Sequence, residues 1–303
     1  HQVMAADAYP VRPVRILVGF SPGGGTDLLA RMMAAKLGEQ FKQSFLVENR
    51  VGASGNIAGQ AVATAKPDGY LLLWIPTAHA VNAAIGKDVG YDPIGAFSPV
   101  TLVTANPNLV NVGQSIPYNS IKELVAAAKA QPGKLSYATS GIGTSSHIAA
   151  ELFRLLAGVE LLHVPYKGGG DVTRAVYTGE VTMSFNDIQA SVPLVRAGKL
   201  KAIAVTGRRR AAILPDTPTV AEAGVPGYEY SVWFGLLAPK GTPADIVQGL
   251  RSQIVAILKQ QDVIQRFEAD GGEVVGSTPE EFGRFLGAEV DKWRKVVKAA
   301  NIQ

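Results

Sequence analysis

Gly19-Phe20-Ser21-Pro22-Gly23-Gly24-Gly25-Thr26-Asp27 stands between an apolar run, Val14-Arg15-Ile16-Leu17-Val18, and a stretch at 27–41 in which Leu28, Leu29, Met32, Met33 and Leu37 recur at helical spacing. That order reads as buried strand, glycine-rich loop and amphipathic helix. The same rhythm extends outward. Short β-rich runs at 45–47, 70–75, 135–139, 161–164, 181–185 and 201–205 are separated by helical patterns at 56–65, 120–130, 145–157 and 172–178. The run at 70–75 lies between Asp68-Gly69 and Pro76, as a central strand would. Such alternation predicts an α/β fold, mostly parallel sheets with helices on both faces. The chain closes in helical patterns at 243–259, 263–269 and 279–300. The last opens on Thr278-Pro279-Glu280-Glu281: Thr278 caps, Pro279 takes the first helical position and Glu281 completes a capping box.

The chain has 303 residues, 47% hydrophobic and 18% charged, a globular composition with room for two cores. Crossings near Asn106-Pro107-Asn108 and at 227–233 would split it into a first domain, 9–106 plus 232–303, and a second, 107–231. Lys and Arg total 29 against 25 Asp and Glu, a net charge of +4. The densest basic cluster is only Arg208-Arg209-Arg210, read as a surface patch, so nucleic acid is not the expected partner. No apolar run reaches the ~18–20 residues that span a bilayer. Cysteine is absent, which leaves the redox compartment open. His1-Gln2-Val3-Met4-Ala5-Ala6-Asp7-Ala8 reads as appended residues plus the small-residue tail of a cleaved signal.

The glycine-rich loop admits three chemistries. It matches the G-x-x-x-x-G-K-[ST] phosphate loop except that Gly25 replaces the lysine, which removes the charge that neutralises the outer phosphates. It also matches G-x-S-x-G with Ser21 as nucleophile. There the residue after the serine must donate its N–H to an oxyanion, and Pro22 has none. The third reading needs no missing residue: several N–H groups converge at a helix N-terminus and hold a carboxylate. Thr26 and Asp27 would otherwise simply cap the helix. Three more loops share the design: Gly52-Ala53-Ser54-Gly55-Asn56, residues 139–147 and Pro165-Tyr166-Lys167-Gly168-Gly169-Gly170. Ligands of open parallel sheets bind at the carboxyl ends of the strands, where these loops belong. No cofactor or metal is expected.

Several long motifs then coincide. Phe20 through Asp27, Val47-Glu48-Asn49-Arg50, Pro67-Asp68-Gly69-Tyr70, Tyr137-Ala138-Thr139-Ser140-Gly141, His163-Val164-Pro165-Tyr166-Lys167-Gly168, residues 214–224 and Trp233-Phe234-Gly235-Leu236-Leu237-Ala238-Pro239 appear in order. Together they resemble the substrate-binding proteins of tripartite tricarboxylate transporters, the Bug receptors. The resemblance implies a periplasmic receptor with a two-domain, Venus-flytrap fold. Such a receptor closes on a small carboxylate and delivers it to a two-component membrane permease. It also implies that loops of both domains grip the carboxylate like pincers. Members often carry Ala where this chain has Ser21.

The candidate ligand-binding residues are therefore Phe20, Ser21, Gly23, Gly24, Gly25, Thr26 and Asp27 in the first pincer. Thr139, Ser140, Thr144, Ser145, Ser146 and His147 form the second. Ser54, Gly55, Asn56, Thr77, His79, Lys167 and Asp187 are the neighbouring candidates. Asp187 would accept bonds from an ammonium, hydroxyl or water. Thr77, Thr144, Ser145 and Ser146 would give the far wall a hydroxyl-rich character. Mono- and dicarboxylates, aromatic acids and amino acids all suit such a pincer. A sensor that reads the same binding event, or a serine hydrolase using Ser21, are the alternatives.

Overall fold

The computed structural model describes residues 9–86, 89–269 and 271–300. The N-terminal stretch read as a signal remnant lies outside them. The strands are β1 Val14–Val18, β2 Phe45–Asn49, β3 Leu71–Pro76, β4 Phe97–Gly113, β5 Ser136–Thr139, β6 Leu162–Pro165, β7 Met183–Asp187, β8 Leu200–Val205, β9 Ser231–Pro239 and β10 Glu273–Val274. Helices α1 Gly25–Phe41, α2 Asn56–Ala63 and α3 Ala78–Ile85 follow the first three strands. Helices α4 Ile121–Ala130, α5 Ser145–Ala157, α6 Gly169–Tyr177 and α7 Ile188–Arg196 interleave with β5 to β8, and α8 Ala244–Leu258, α9 Gln261–Ala269 and α10 Pro279–Ala300 end the chain.

Two sheets share one strand. The first runs β2-β1-β3-β9-β4, with β10 on the far side of β4. In the second, β4 continues between β8 and β7, and β7 leads on to β5 and β6. Residues Phe97 to Pro107 of β4 pair with β9, and Asn108 onward pairs with β7 and β8. The α/β class stands, but the sheets are mixed rather than mostly parallel. β1 is parallel to β2 and β3, and β5 to β6 and β7, whereas every pairing of β4 and β9 is antiparallel. β4 and β9 are the long strands that the alternation did not reveal. They carry the chain across between the sheets and so owe nothing to the β-loop-helix rhythm.

β1 is buried on both faces, with Val14, Ile16, Leu17 and Val18 inaccessible, as the centre of a covered sheet requires. Met33 and Leu37 of α1 and Leu250, Ile254 and Ile257 of α8 cover one face of the first sheet. The other core joins Leu73 and Ile75 of β3 to Tyr137 and Phe185 of the second sheet and Phe153 of α5 through Trp233, Phe282 and Trp293. Helix α10 is the common element, since it packs on α3, β4 and α5. Its capping box forms as expected: Thr278 N–H donates to Glu281 Oε2 at 2.8 Å and Glu281 N–H to Thr278 Oγ1 at 3.1 Å.

Candidate ligand-binding cleft

The loop after β1 is held from beneath by Asp27. Its Oδ2 accepts from Gly23 N–H and from Arg31 Nε, both at 2.9 Å, and its Oδ1 accepts from Asn49 Nδ2 at 2.8 Å. The same Asn49 amide donates to Phe20 O at 2.9 Å, which fixes the start of the loop. Burial alone would raise the Asp27 pKa, but the bonds from Arg31, Gly23 and Asn49 outweigh it and hold the carboxyl at about 2. Asp27 is thus a positioning residue, 1% exposed beneath the loop. Gly19 lets this loop meet the next one: a side chain there would strike the Gly55 backbone at 2.4 Å. Ala53 and Ser54, just before it, both hold positive φ, 46° and 54°.

The loop after β5 repeats this geometry with a different sequence. Gly23 and Gly143 both lie in the left-handed region, at φ +81° and +78°. The residues that follow, Gly24 and Thr144, have φ/ψ of −76°/165° and −74°/165°. Four residues beyond each glycine stands an acceptor for its N–H: Asp27 in the first loop, and His147 Nδ1 at 3.1 Å in the second. Neither α1 nor α5 has a side-chain cap. Gly24 has no side chain, and the Thr144 hydroxyl turns away to donate to Gly141 O at 2.7 Å. By contrast α4 and α7 are capped, by Ser120 and Asp187. The first N–H groups of a helix have no partner within it, so α1 and α5 each present backbone donors, at α1 beside the Asp27 carboxylate of its first turn.

Both ends open on one cleft of about 520 Å³. Its walls are Phe20, Thr26 and Ser54 from the first loops, and Pro76, Thr77, Ala78, Val81, Asn82 and Ile85 along the start and face of α3. Ile142, Gly143, Ser145 and Ile148 come from the second pincer and α5, Val232 from β9 and Tyr230 from just before it. Of the residues expected from sequence, the fold brings Phe20, Thr26, Ser54, Thr77 and Ser145 to this cleft. Ser21, Gly23, Gly24 and Gly25 lie exposed on the first loop. Sequence reasoning missed the α3 face, although Ala78, Val81, Asn82 and Ile85 follow the i, i+3, i+4, i+7 pattern of one helical stripe. It also missed Tyr230, Val232 and Ile148, whose place at the cleft depends on how the two sheets are set.

Other expected contacts are committed elsewhere. His79 is buried, donates from Nε2 to Pro93 O at 2.7 Å and packs edge-on against Phe97. Burial lowers its pKa. Asn56 ties Ala53 O to the Tyr91 hydroxyl, and Gly55 packs against Gly19. Thr139 is inaccessible and bonds His163 Nε2 at 2.7 Å. Ser140 N–H donates to Ser146 Oγ at 3.2 Å, beneath the loop. Lys167 and Asp187 are exposed, and neither lines the cleft; Asp187 accepts from Gln189 N–H at the start of α7. Of the expected hydroxyl-rich wall, Thr77 and Ser145 line the cleft and Thr144 and Ser146 do not. Thr77 is engaged with Trp233 N–H at 2.9 Å, and Thr144 and Ser146 serve their own loop.

His147 does not line the cleft but sets the second pincer from below. It stacks on His163 at 4.5 Å, which stacks on Tyr137 at 5.0 Å. Glu151 closes the cluster: it accepts from the Tyr137 hydroxyl and from Arg154 Nη1, and lies 3.9 Å from His147 Nε2. Burial, and then the neighbouring His163, lower the His147 pKa, which keeps Nδ1 free to accept from Gly143. Among the described residues no group of His, Cys, Asp and Glu is placed to hold a metal ion.

The family of tripartite tricarboxylate transporter receptors matches residues 29–302. This chain belongs to that family. It is 33% identical to BugT of Bordetella pertussis over 297 residues, 97% of this chain and 91% of that one. Among solved structures it is similar to an R. palustris protein determined with adipate, with 40% identity, a TM-score of 0.75, and 97% and 98% of the two chains covered. MatC of Rhodopseudomonas palustris, determined with bound malate, is 33% identical with a TM-score of 0.72, and the match covers 95% of this chain and all of that one. Members of the family are substrate-binding receptors, so this receptor is not an enzyme and the hydrolase reading of Ser21 falls away. No helix among its described residues is long and apolar enough to cross a membrane.

Proposed function

We propose that this receptor works in the periplasm, captures a small carboxylate between two domains and hands it to a two-component membrane permease. The domains are 9–106 plus 232–303, and 107–231. One observation carries the reading: two uncapped helix N-termini, built on matched loops from different sheets, face a single cleft. Each offers N–H donors and a partial positive charge, so a carboxylate between them would satisfy both at once. Closure follows from the same arrangement. A ligand that contacts both pincers stabilises the closed state more than the open one, and only such a difference shifts the balance. The adipate and malate held by two relatives support a carboxylate as the guest.

Thermal unfolding against a panel of carboxylates tests the proposal. At about a hundred times its dissociation constant a ligand adds ~2.7 kcal/mol to stability. A clear rise in Tm with at least one acid, together with a smaller radius of gyration in solution scattering, is the expected result. No shift with any acid would remove it.

A further inference from the structure

Strand alternation separates two faces of the crossing between the sheets. Tyr230 and Val232 line the cleft, whereas Ser231 and Trp233 line a groove of about 430 Å³ on the opposite face. A cavity of about 270 Å³ shares Arg208, Arg209, Ser231 and Glu273 with that groove, so the two form one rear depression. Arg208 and Arg209 follow β8 of the second sheet, and Glu273 lies on β10 of the first. Arg209 bridges them: its Nη2 donates to Glu273 Oε2 at 2.5 Å. Arg210 turns away to Glu222 at 2.9 Å. The turn into β10 is also seated on the second sheet's side, for a Cβ on Gly271 would lie 2.7 Å from Ile188 Cγ2 of α7. Across the cleft, among the described residues, no hydrogen bond or ion pair joins the loop at 19–27 to the loop at 139–147. The rear is fastened and the front is not.

We infer that Arg209 and Glu273 form a latch across the back of the hinge, which holds the receptor open and so tunes its affinity for ligand. This rests on the hinge-closing reading above and adds to it the contact that closure must break. A rotation about β4 and β9 that brings the two pincers together widens the face on which Ser231 and Trp233 lie, because the cleft and the rear groove are on opposite sides of the axis. The distance from Arg209 to Glu273 then has to grow. Measured affinity is that of the closed form multiplied by its population, so any gain in that population appears as tighter binding. The side chains of the pair are 74% and 37% exposed, which makes it a modest restraint that biases the balance without blocking closure. Its removal should tighten binding roughly two- to fivefold.

Titration calorimetry on the full chain with adipate and with malate tests the latch. Glu273→Gln and Arg209→Gln, each checked for an unchanged unfolding profile, should bind whichever acid the parent binds about two- to fivefold more tightly. Because Arg208 lines the same groove and is placed to replace Arg209, Glu273→Gln is the cleaner variant. The exchanged pair, Arg209→Glu with Glu273→Arg, should return to the parent affinity, which a loss of packing would not do. The gain should also vanish in 1 M NaCl, where the Debye length is ~3 Å. Unchanged or weaker binding in both single variants overturns the latch and leaves the receptor reading intact. If neither acid binds the parent, the separation of the pincers decides. The chain has no cysteine, so spin labels on Ser21→Cys and Ile142→Cys report that separation alone. A shorter distance in Glu273→Lys, which sets a cation against Arg208 and Arg209, supports the latch; an unchanged one removes it.

Discussion

With φ at +81°, Gly23 occupies backbone space that an L side chain enters only at a cost of ~1 kcal/mol or more, whereas its neighbour Gly24 at −76°/165° is in ordinary extended conformation. The chain carries its own control, since Thr144 adopts the Gly24 conformation in the second pincer with a β-branched side chain. A side chain at Gly24 would come no closer than 3.7 Å to Ser21 O. Gly23→Val should therefore lower stability by roughly 1–2 kcal/mol and weaken ligand binding. Gly24→Thr should stay within about 0.5 kcal/mol of the parent, as substitutions away from such constraints do. Urea unfolding of the two variants checks the contrast, and equal losses would contradict it. In the sequence the three glycines are indistinguishable; the left-handed one is known only from the turn it makes.

At the scale of elements, the two pincers rest on acceptors of different kind, and pH separates them. His79, His147 and His163 all have folded-state pKa values below the ordinary histidine value, each chiefly because of burial. The unfolded chain then binds more protons, so their contribution is complete above about pH 6.5 and declines as pH falls below it. Around His147 the groups that matter are His163, Tyr137, Glu151 and Arg154, and protonation of its Nδ1 would end acceptance from Gly143. Stability should thus fall between pH 7 and 5, and the slope should be shallower in His147→Gln. Asp27 acts in a lower window: its support is complete above about pH 4 and is lost as pH falls toward 2. Denaturant midpoints across pH 8 to 3 measure both. A second element-scale node joins β9 to α10. Trp233 Nε1 and Trp293 Nε1 donate to one oxygen of the buried Glu289, at 2.8 Å and 3.1 Å. Glu289→Ala leaves two buried indole donors without a partner and should cost roughly 2–4 kcal/mol in the same assay.

Across the whole molecule, β4 is one unbroken strand that belongs to both sheets, and the chain is stitched where it crosses. Asn108 N–H donates to Thr206 Oγ1 at 2.6 Å, Thr206 N–H to Asn108 O at 2.9 Å, and Tyr230 N–H to Thr206 O at 2.8 Å. A bending motion about these crossings changes a few dihedrals and leaves both ladders paired, which is how a hinge differs from partial unfolding. Helix α10 also touches α5, a contact that the proposed closure would have to slide. Saturating ligand should shrink the radius of gyration while amide exchange within β1, β3 and β5 stays unchanged. Compaction accompanied by faster exchange in those strands would argue against hinge motion.

Much was settled by local pattern alone. The run Val14 to Val18, the glycine-rich loop and the helix after it are consecutive in the chain, so periodicity and turn chemistry suffice to read them, as they do for the second pincer and for the Thr278–Glu281 capping box. The same locality explains what could not be read. Asp27 and His147 lie in or beside pincer loops, yet whether a side chain there turns toward a ligand or under its own loop depends on partners such as Asn49 and His163, distant in sequence and on other elements. β4 and β9 obey no local rhythm because they pair antiparallel with strands distant in the chain, β4 in both sheets. The cleft wall made by α3, Ile148, Val232 and Tyr230 exists only once those strands join the two sheets. The sequence by itself determined the glycine-rich loops that lead into helix N-termini; the tertiary structure alone decided which residues wall the cleft, because that wall is assembled from residues that only the folded chain brings together.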